Sequence, residues 1–289
     1  MRFEIEKYKD VAARLDDHDI DYGAFRDEPL APEHLRCIRY MHDVEHHTVC
    51  YLRDLLVTRA HRDPTVTTFL TIWAFEEMWH GDALGRVLEA HGEAAGPERI
   101  SRHRHSLGWK ERLGPIPSMI GSVIAKEFTA VHMTWGAVNE WSTQSGYARL
   151  SQKAGHPVLT ELLKRIMRQE GRHIDFYASQ ANERLDRSEA ARRITRFALR
   201  KFWTPVGAGV MPPAELSFLV RYLFADDEGL AVARRIDRRV QRLPGLDGLT
   251  ILEDARGEEL GLSVLGGGVR SAASLAPDRS AFRPYPRAA

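Results

Sequence analysis

The sequence predicts an all-α protein: an antiparallel bundle of four long helices with additional helices toward the C-terminus. Three observations carry that expectation. Apolar residues recur at helical spacing over many turns, with breaks at Asp63-Pro64 and Gly155-His156-Pro157. No stretch alternates apolar and polar residues with the period of a strand. Two long helical stretches carry a Glu-x-x-His pair each, and the chain has no third copy.

The elements follow in order. The first long helix spans 31–59 and opens at Ala31-Pro32, where proline suits the first helical turn. Its apolar positions include Leu35, Ile38, Met41, Val49, Leu52 and Leu55. The second runs from the Asp63-Pro64 break to His91-Gly92, and a connector with His103, His105 and Trp109 follows. The third begins near Pro115–Pro117 and reaches about Lys153; the fourth covers 157–185. Shorter helices are predicted at 188–202, 213–224 and 227–242. Short breaks make each consecutive long pair a hairpin, and two hairpins make a bundle. Residues 1–260 read as one helical domain, and the Gly-, Ser- and Pro-rich stretch 261–289 as a loose tail.

A chain of 289 residues can bury a sizeable core. With 41 basic against 40 acidic residues, net charge points to neither nucleic acid nor membrane. Basic residues do gather late, among them Arg184, Arg192, Arg193, Arg196, Arg200 and Lys201, which makes that region a docking candidate for an acidic partner. Cys37 and Cys50 are the only cysteines, and the charged N-terminus lacks an apolar signal core, so a reducing cytoplasmic setting is expected. No uncharged run reaches the roughly 18–20 residues that a membrane span needs.

Residues three apart share one helix face, so Glu77 and His80 reach one point, as do Glu170 and His173. A bundle-core dimetal site needs two such pairs and one further Glu from each remaining helix. Depth selects them. Glu45 lies sixteen residues before His61 and Glu77 sixteen after it; Glu140 lies fifteen before Gly155 and Glu170 fifteen after. At 1.5 Å per residue both pairs sit about 23 Å from their turns. Glu127 lies thirteen residues from Glu140, on roughly the opposite face, and is rejected. Asp43 and His46 compete with Glu45, with His42 and His47 nearby. Carboxylate and imidazole donors without thiolate suit iron or manganese. The competing reading is a metal-free bundle whose Glu and His pairs are surface charge.

These residues resemble the acyl-[acyl-carrier-protein] desaturases, soluble di-iron enzymes of the ferritin-like superfamily. WAFEEMWHGDAL resembles the family's second-helix segment, NEWSTQSGYARL the third and QEGRHIDFY the fourth; MHDVEHHTVCYL is a weaker match to the first. Similarity spans about 31–245. The resemblance implies a ferritin-like fold in which Glu45, Glu77, His80, Glu140, Glu170 and His173 bind two iron ions, with Glu77 and Glu170 as bridges. Thr143 matches a threonine beside the oxygen-binding face; alternatively its hydroxyl bonds back to its own helix. The implied reaction uses O2 and electrons from a ferredoxin-type donor to place a cis double bond in an acyl chain on acyl-carrier protein. A homodimer is implied as well.

Two other activities fit the same ligand set: a di-iron hydroxylase or N-oxygenase on a carrier-bound substrate, and a ferritin-like iron-binding protein. An apolar tunnel is expected, with Phe69, Trp73, Met133, Val138, Trp141 and Met167 as candidate lining. Two departures stand out. Gln169 replaces the acid that the family places before the fourth-helix Glu, which puts the proposed electron path in doubt. Met78-Trp79 replaces a polar-basic pair. Trp79, Trp135 and Trp141 read as packing rather than as redox relays.

Overall fold

A computed structural model of the chain describes residues 3–108 and 127–262. Its helices are α1 (Ile5–Val11), α2 (Ala24–Asp27), α3 (Pro32–Leu56), α4 (Pro64–Ala90), α5 (Pro97–Ser106) and α6 (Phe128–Ala154), followed by α7 (Pro157–Arg187), α8 (Glu189–Phe202), α9 (Pro213–Phe224), α10 (Asp227–Gln241) and α11 (Ile251–Leu260). Among the described residues the fold is all-α, with one isolated β-bridge between Ala208 and Met211.

The local chemistry explains where the long helices begin and end. Pro32, Pro64 and Pro157 each occupy a first helical position, where the missing N–H costs no hydrogen bond. The Asp63 carboxylate caps α4 by accepting from the Thr65 and Val66 amides at 3.0 and 3.2 Å. Its other oxygen accepts from Arg184 at 2.6 Å, so one carboxylate both starts α4 and ties it to α7. Gly155 ends α6 at φ 62°, a left-handed geometry that favours glycine.

Two hairpins, α3–α4 and α6–α7, pack together through α4 against α7 and α3 against α6. Helices α8, α9 and α10 lie on α6; α9 also touches α3, and α11 packs on α9 and α10. Two apolar clusters fill the bundle toward its opposite ends. One contains Leu55, Phe69, Met133, Phe176 and Tyr177, the other Ile38, Leu84, Leu88, Leu150, Leu163 and Ile166. The carboxylate- and histidine-bearing turns lie between them.

The helix boundaries depart from the sequence reading for local reasons. The first long helix stops at Leu56, where Thr58 takes the Leu55 carbonyl and opens a 3-10 turn over Arg59–Arg62. The third begins at Phe128, since Glu127 at φ −87°, ψ 11° is already non-helical. The expected start near Pro115–Pro117, Trp109 and the tail from 263 lie outside the described residues. Helices α1, α2, α5 and α11 are short or strongly polar and gave no periodic signal. Phe75, two residues before Glu77, is 44% exposed on the outer face of α4.

Phe69 stacks on Phe176 with ring centroids 3.7 Å apart, and both are fully buried. Phe69→Ala is expected to destabilise the metal-free protein by about 3–5 kcal/mol, read as a lower urea midpoint.

Candidate metal centre

Four helices each deliver one glutamate to the bundle centre, and α4 and α7 add a histidine apiece. Glu45, Glu77, Glu140 and Glu170 are nearly or completely buried, and His80 and His173 are fully so. Donor atoms from Glu45, Glu77, His80 and Glu170 lie within 4.8 Å of one another, as do those from Glu77, Glu140, Glu170 and His173. Glu77 and Glu170 belong to both groups. These groups could each hold a metal ion, and a carboxylate shared between them could span two.

Both imidazoles aim Nδ1 inward. His80 Nδ1 is 3.1 Å from Glu77 and 3.4 Å from Glu170; His173 Nδ1 is 3.1 Å from Glu170 and 3.2 Å from Glu77. Their outer nitrogens are held differently. His173 Nε2–H donates to Glu76 at 2.8 Å, and Glu76 also accepts from Tyr8 Oη at 2.6 Å and Arg172 at 2.7 Å. His80 Nε2–H donates to Gln169 Oε1 at 2.9 Å, while Gln169 Nε2 donates to the Ala13 carbonyl at 3.0 Å, which fixes the amide orientation. One imidazole is therefore backed by a buried carboxylate and the other by a neutral amide.

The two outer glutamates are clamped as well. Trp73 Nε1–H donates to Glu140 at 2.9 Å, and the Tyr147 hydroxyl donates to Glu45. Asp43 instead forms a two-pronged ion pair with Arg99 at 2.7 Å, and His46 turns toward Gly81 and Asp82. Neither joins the groups containing Glu45.

Electrostatics divides the six residues. Burial pushes Glu45 well above the usual carboxylate range, and the adjacent Glu77 charge adds to it. Burial does the same to Glu140, reinforced by Glu170 and Glu77. For Glu77 burial is overridden by hydrogen bonds from Glu45, His173 and His80, which hold it well below the ordinary value. Burial and the Glu77 charge push Glu170 up, but hydrogen bonds from His173 and His80 win and leave it lowered. Burial opposes charge on His80, yet the carboxylates of Glu170 and Glu77 lift it to about 9. His173 rises well above its usual value by the same balance. The metal-free cluster thus favours the charged forms of Glu77, Glu170, His80 and His173 and the neutral forms of Glu45 and Glu140.

Two cavities adjoin this cluster. A chamber of about 150 Å³ is walled by Glu45, Glu77, Glu140, Tyr51, Trp73 and Tyr177, among others. An apolar cavity of about 110 Å³ extends from Glu45 and Tyr147 to Leu216, Val220, Val232 and Ile236 of α9 and α10. Val44, Glu45, Thr143 and Val206 line both. Of the expected lining residues only Trp73 borders either cavity. Phe69, Met133, Val138 and Trp141 pack in the bundle core, and Met167 packs against its second cluster. The apolar cavity lies outside the four-helix core, under the appended helices, whereas the chamber is walled by all four long helices and the loop at Val206, Gly207 and Val210. Thr134 and Ser142 donate back to carbonyls four residues earlier; Thr143 forms no such bond among the described residues.

Sequence reasoning missed Glu76, Tyr8, Arg172 and Tyr147, whose partners lie far away in the chain. Tyr147 stands seven residues after Glu140 on the same face of α6, a signal that was available. Trp79 is explained by the N-terminal segment: the Arg14 guanidinium lies over its ring, 4.3 Å from the centroid, beside the Ala13 carbonyl that holds Gln169. Comparison with known protein families, with characterised proteins and with solved structures returns no match.

Two outcomes follow. A group with a raised pKa keeps its proton below that pKa and must release it to bind metal. Uptake of divalent ions near pH 7 should therefore release protons, and affinity should rise with pH as His80, held near 9, and the other raised groups give theirs up. Calorimetry in buffers of different ionisation enthalpy measures the count. Glu76→Gln should weaken the ion on the His173 side by about 10- to 100-fold, seen as a second, weaker step in a cobalt titration.

Proposed function

We propose that the protein is a di-iron, O2-dependent oxidase of the ferritin-like type. More particularly, we propose a desaturase acting on an acyl chain attached to a carrier protein. The observation that carries this reading is a buried cluster of four carboxylates and two histidines that opens onto an apolar cavity. Oxygen and nitrogen donors without thiolate suit iron, with manganese as the nearest substitute. A mostly apolar lining, with Glu45 and Arg256 its charged members, suits a hydrocarbon chain, each buried methylene of which contributes about 0.8 kcal/mol.

The iron pair, when bound, would supply the reduction of O2 and the removal of hydrogen from the substrate. Residues of the chain do the rest. Glu77 and Glu170 sit where both ions would be shared, while Trp73 and Tyr147 fix the orientation of Glu140 and Glu45. Leu216, Val220, Val232 and Ile236 exclude water from the chain-binding side. Thr143, with its hydroxyl free of its own helix, stands where the two cavities meet and can hold or pass a proton there.

An acidic carrier protein and a ferredoxin-type donor fit the basic surface of α8. Arg192 and Arg196 are committed to the chain itself, donating to the carbonyls of Leu185 and Asp186 and of Gly245 and Asp247. Arg193, Arg200 and Lys201 are exposed, and Trp203, just beyond them, borders the apolar cavity. A carrier docked there would stand beside that cavity.

The deciding experiment loads the protein with iron, reduces it, and supplies O2 with a panel of acyl-carrier substrates. Product lighter by two hydrogens is expected. Product heavier by one oxygen would replace desaturation with hydroxylation, and a chain that takes up no ferrous iron anaerobically would overturn the reading altogether.

A further inference from the structure

The chamber beside the carboxylates is not simply the near end of an apolar tunnel. Tyr51 and Tyr177 both border it, and the hydroxyls of both are buried without a hydrogen-bond partner among the described residues. Tyr177 is completely buried, and its ring occupies space that exists only because residue 136 is glycine: a Cβ there would fall 2.4 Å from the ring. Trp73 packs edge-on to both tyrosines, at 6.1 and 5.8 Å between centroids, so the three rings form one wall. Asn139 stands on the same chamber. Its Oδ1 accepts from Trp203 Nε1 at 3.3 Å, which leaves its NH2 group to donate elsewhere.

A buried hydroxyl with no partner forfeits the hydrogen bond it made in water, a loss comparable to any single favourable contact. Two such hydroxyls on one chamber, with an amide N–H beside them, describe a set of donors waiting for an acceptor. The chamber volume, about 150 Å³, is that of a cavity able to hold a benzene-sized molecule. Three glutamates on the same wall, with Glu77 held in its charged form, make an anion a poor occupant.

We propose that this chamber binds a neutral oxygen-bearing group of the substrate, a carbonyl or a hydroxyl, through Tyr51, Tyr177 and Asn139, while the apolar remainder lies in the adjoining cavity. The substrate is then a functionalised acyl group whose oxygen lies beside the reacting carbons, not a plain hydrocarbon chain. This rests on the reading that the two cavities receive the substrate, but its test requires neither iron nor turnover.

The full-length protein, metal-free and zinc-loaded, is titrated calorimetrically with cyclohexanone and with methylenecyclohexane, which has the same shape but lacks the oxygen. Tyr51→Phe and Tyr177→Phe should each weaken cyclohexanone binding by about three- to tenfold. Binding of methylenecyclohexane should stay within about twofold. Neither substitution should lower Tm, since neither removes a hydrogen bond present in the resting protein. Equal effects on both probes, no effect on either, or failure of the wild type to bind cyclohexanone would overturn the proposal and leave the hydroxyls to ordered water. A clear loss of Tm would overturn it too, by showing that the hydroxyls already have protein partners. If oxygen-selective binding holds and iron is never taken up, the enzyme reading falls while the chamber assignment stands.

Discussion

Four glutamates brought to one buried point are the constraint around which the rest of the molecule is arranged. Carboxylates that close, out of water, cannot all be ionised without compensating positive charge. Metal-free, the cluster eases the conflict with protons: burial and the neighbouring charges favour the neutral form of Glu45 and Glu140, and the carboxylates favour charge on His80 and His173. Metal cations would take over the compensating role of those protons.

The same constraint explains the N-terminal segment. Each histidine needs a partner for its outer nitrogen, and neither partner stands alone. Glu76 is held by Tyr8 and Arg172, and Gln169 by the carbonyl of Ala13. The Ala13 amide also lies 3.4 Å from Glu76, so one residue of the segment touches both supports. Arg14 over Trp79 then fixes that residue in place. The indole of Trp79 and the amide of Gln169 belong to one local arrangement. A neutral amide behind His80 and a carboxylate behind His173 make the two halves of the centre chemically unequal despite their matching ligands.

The legible part of the site was the part written within single helices. Spacing of three placed Glu77 with His80 and Glu170 with His173, and equal distance from a turn placed Glu45 and Glu140 beside them. Both rules use only the helix rise and pitch, which hold wherever a long helix forms. Glu76, Tyr8 and Tyr147 escaped because their partners lie 97, 68 and 102 residues away, pairings that no local period encodes. The long hairpins were legible for the same reason as the ligands. Helices α1, α2, α5 and α11 were not, since short or polar helices are held by tertiary contacts more than by their own pattern.

The cavities escaped for a different reason, and it bears on function. The tunnel expected from the sequence runs among apolar residues of the four long helices, which are the residues that fill the bundle. The apolar cavity lies instead between α3 and α6 on one side and the appended helices α9–α11 on the other. The loop after α8 completes the wall: Tyr40 donates to the Val206 carbonyl at 2.7 Å, and Gly207 at φ 88° leaves room for the Tyr40 hydroxyl. The candidate metal cluster and the apolar cavity are thus written in different parts of the chain. Regular spacing within four long helices builds the cluster, while α9–α11 and the loop shape the cavity, so the Glu-x-x-His pairs alone say nothing of what the cavity would fit.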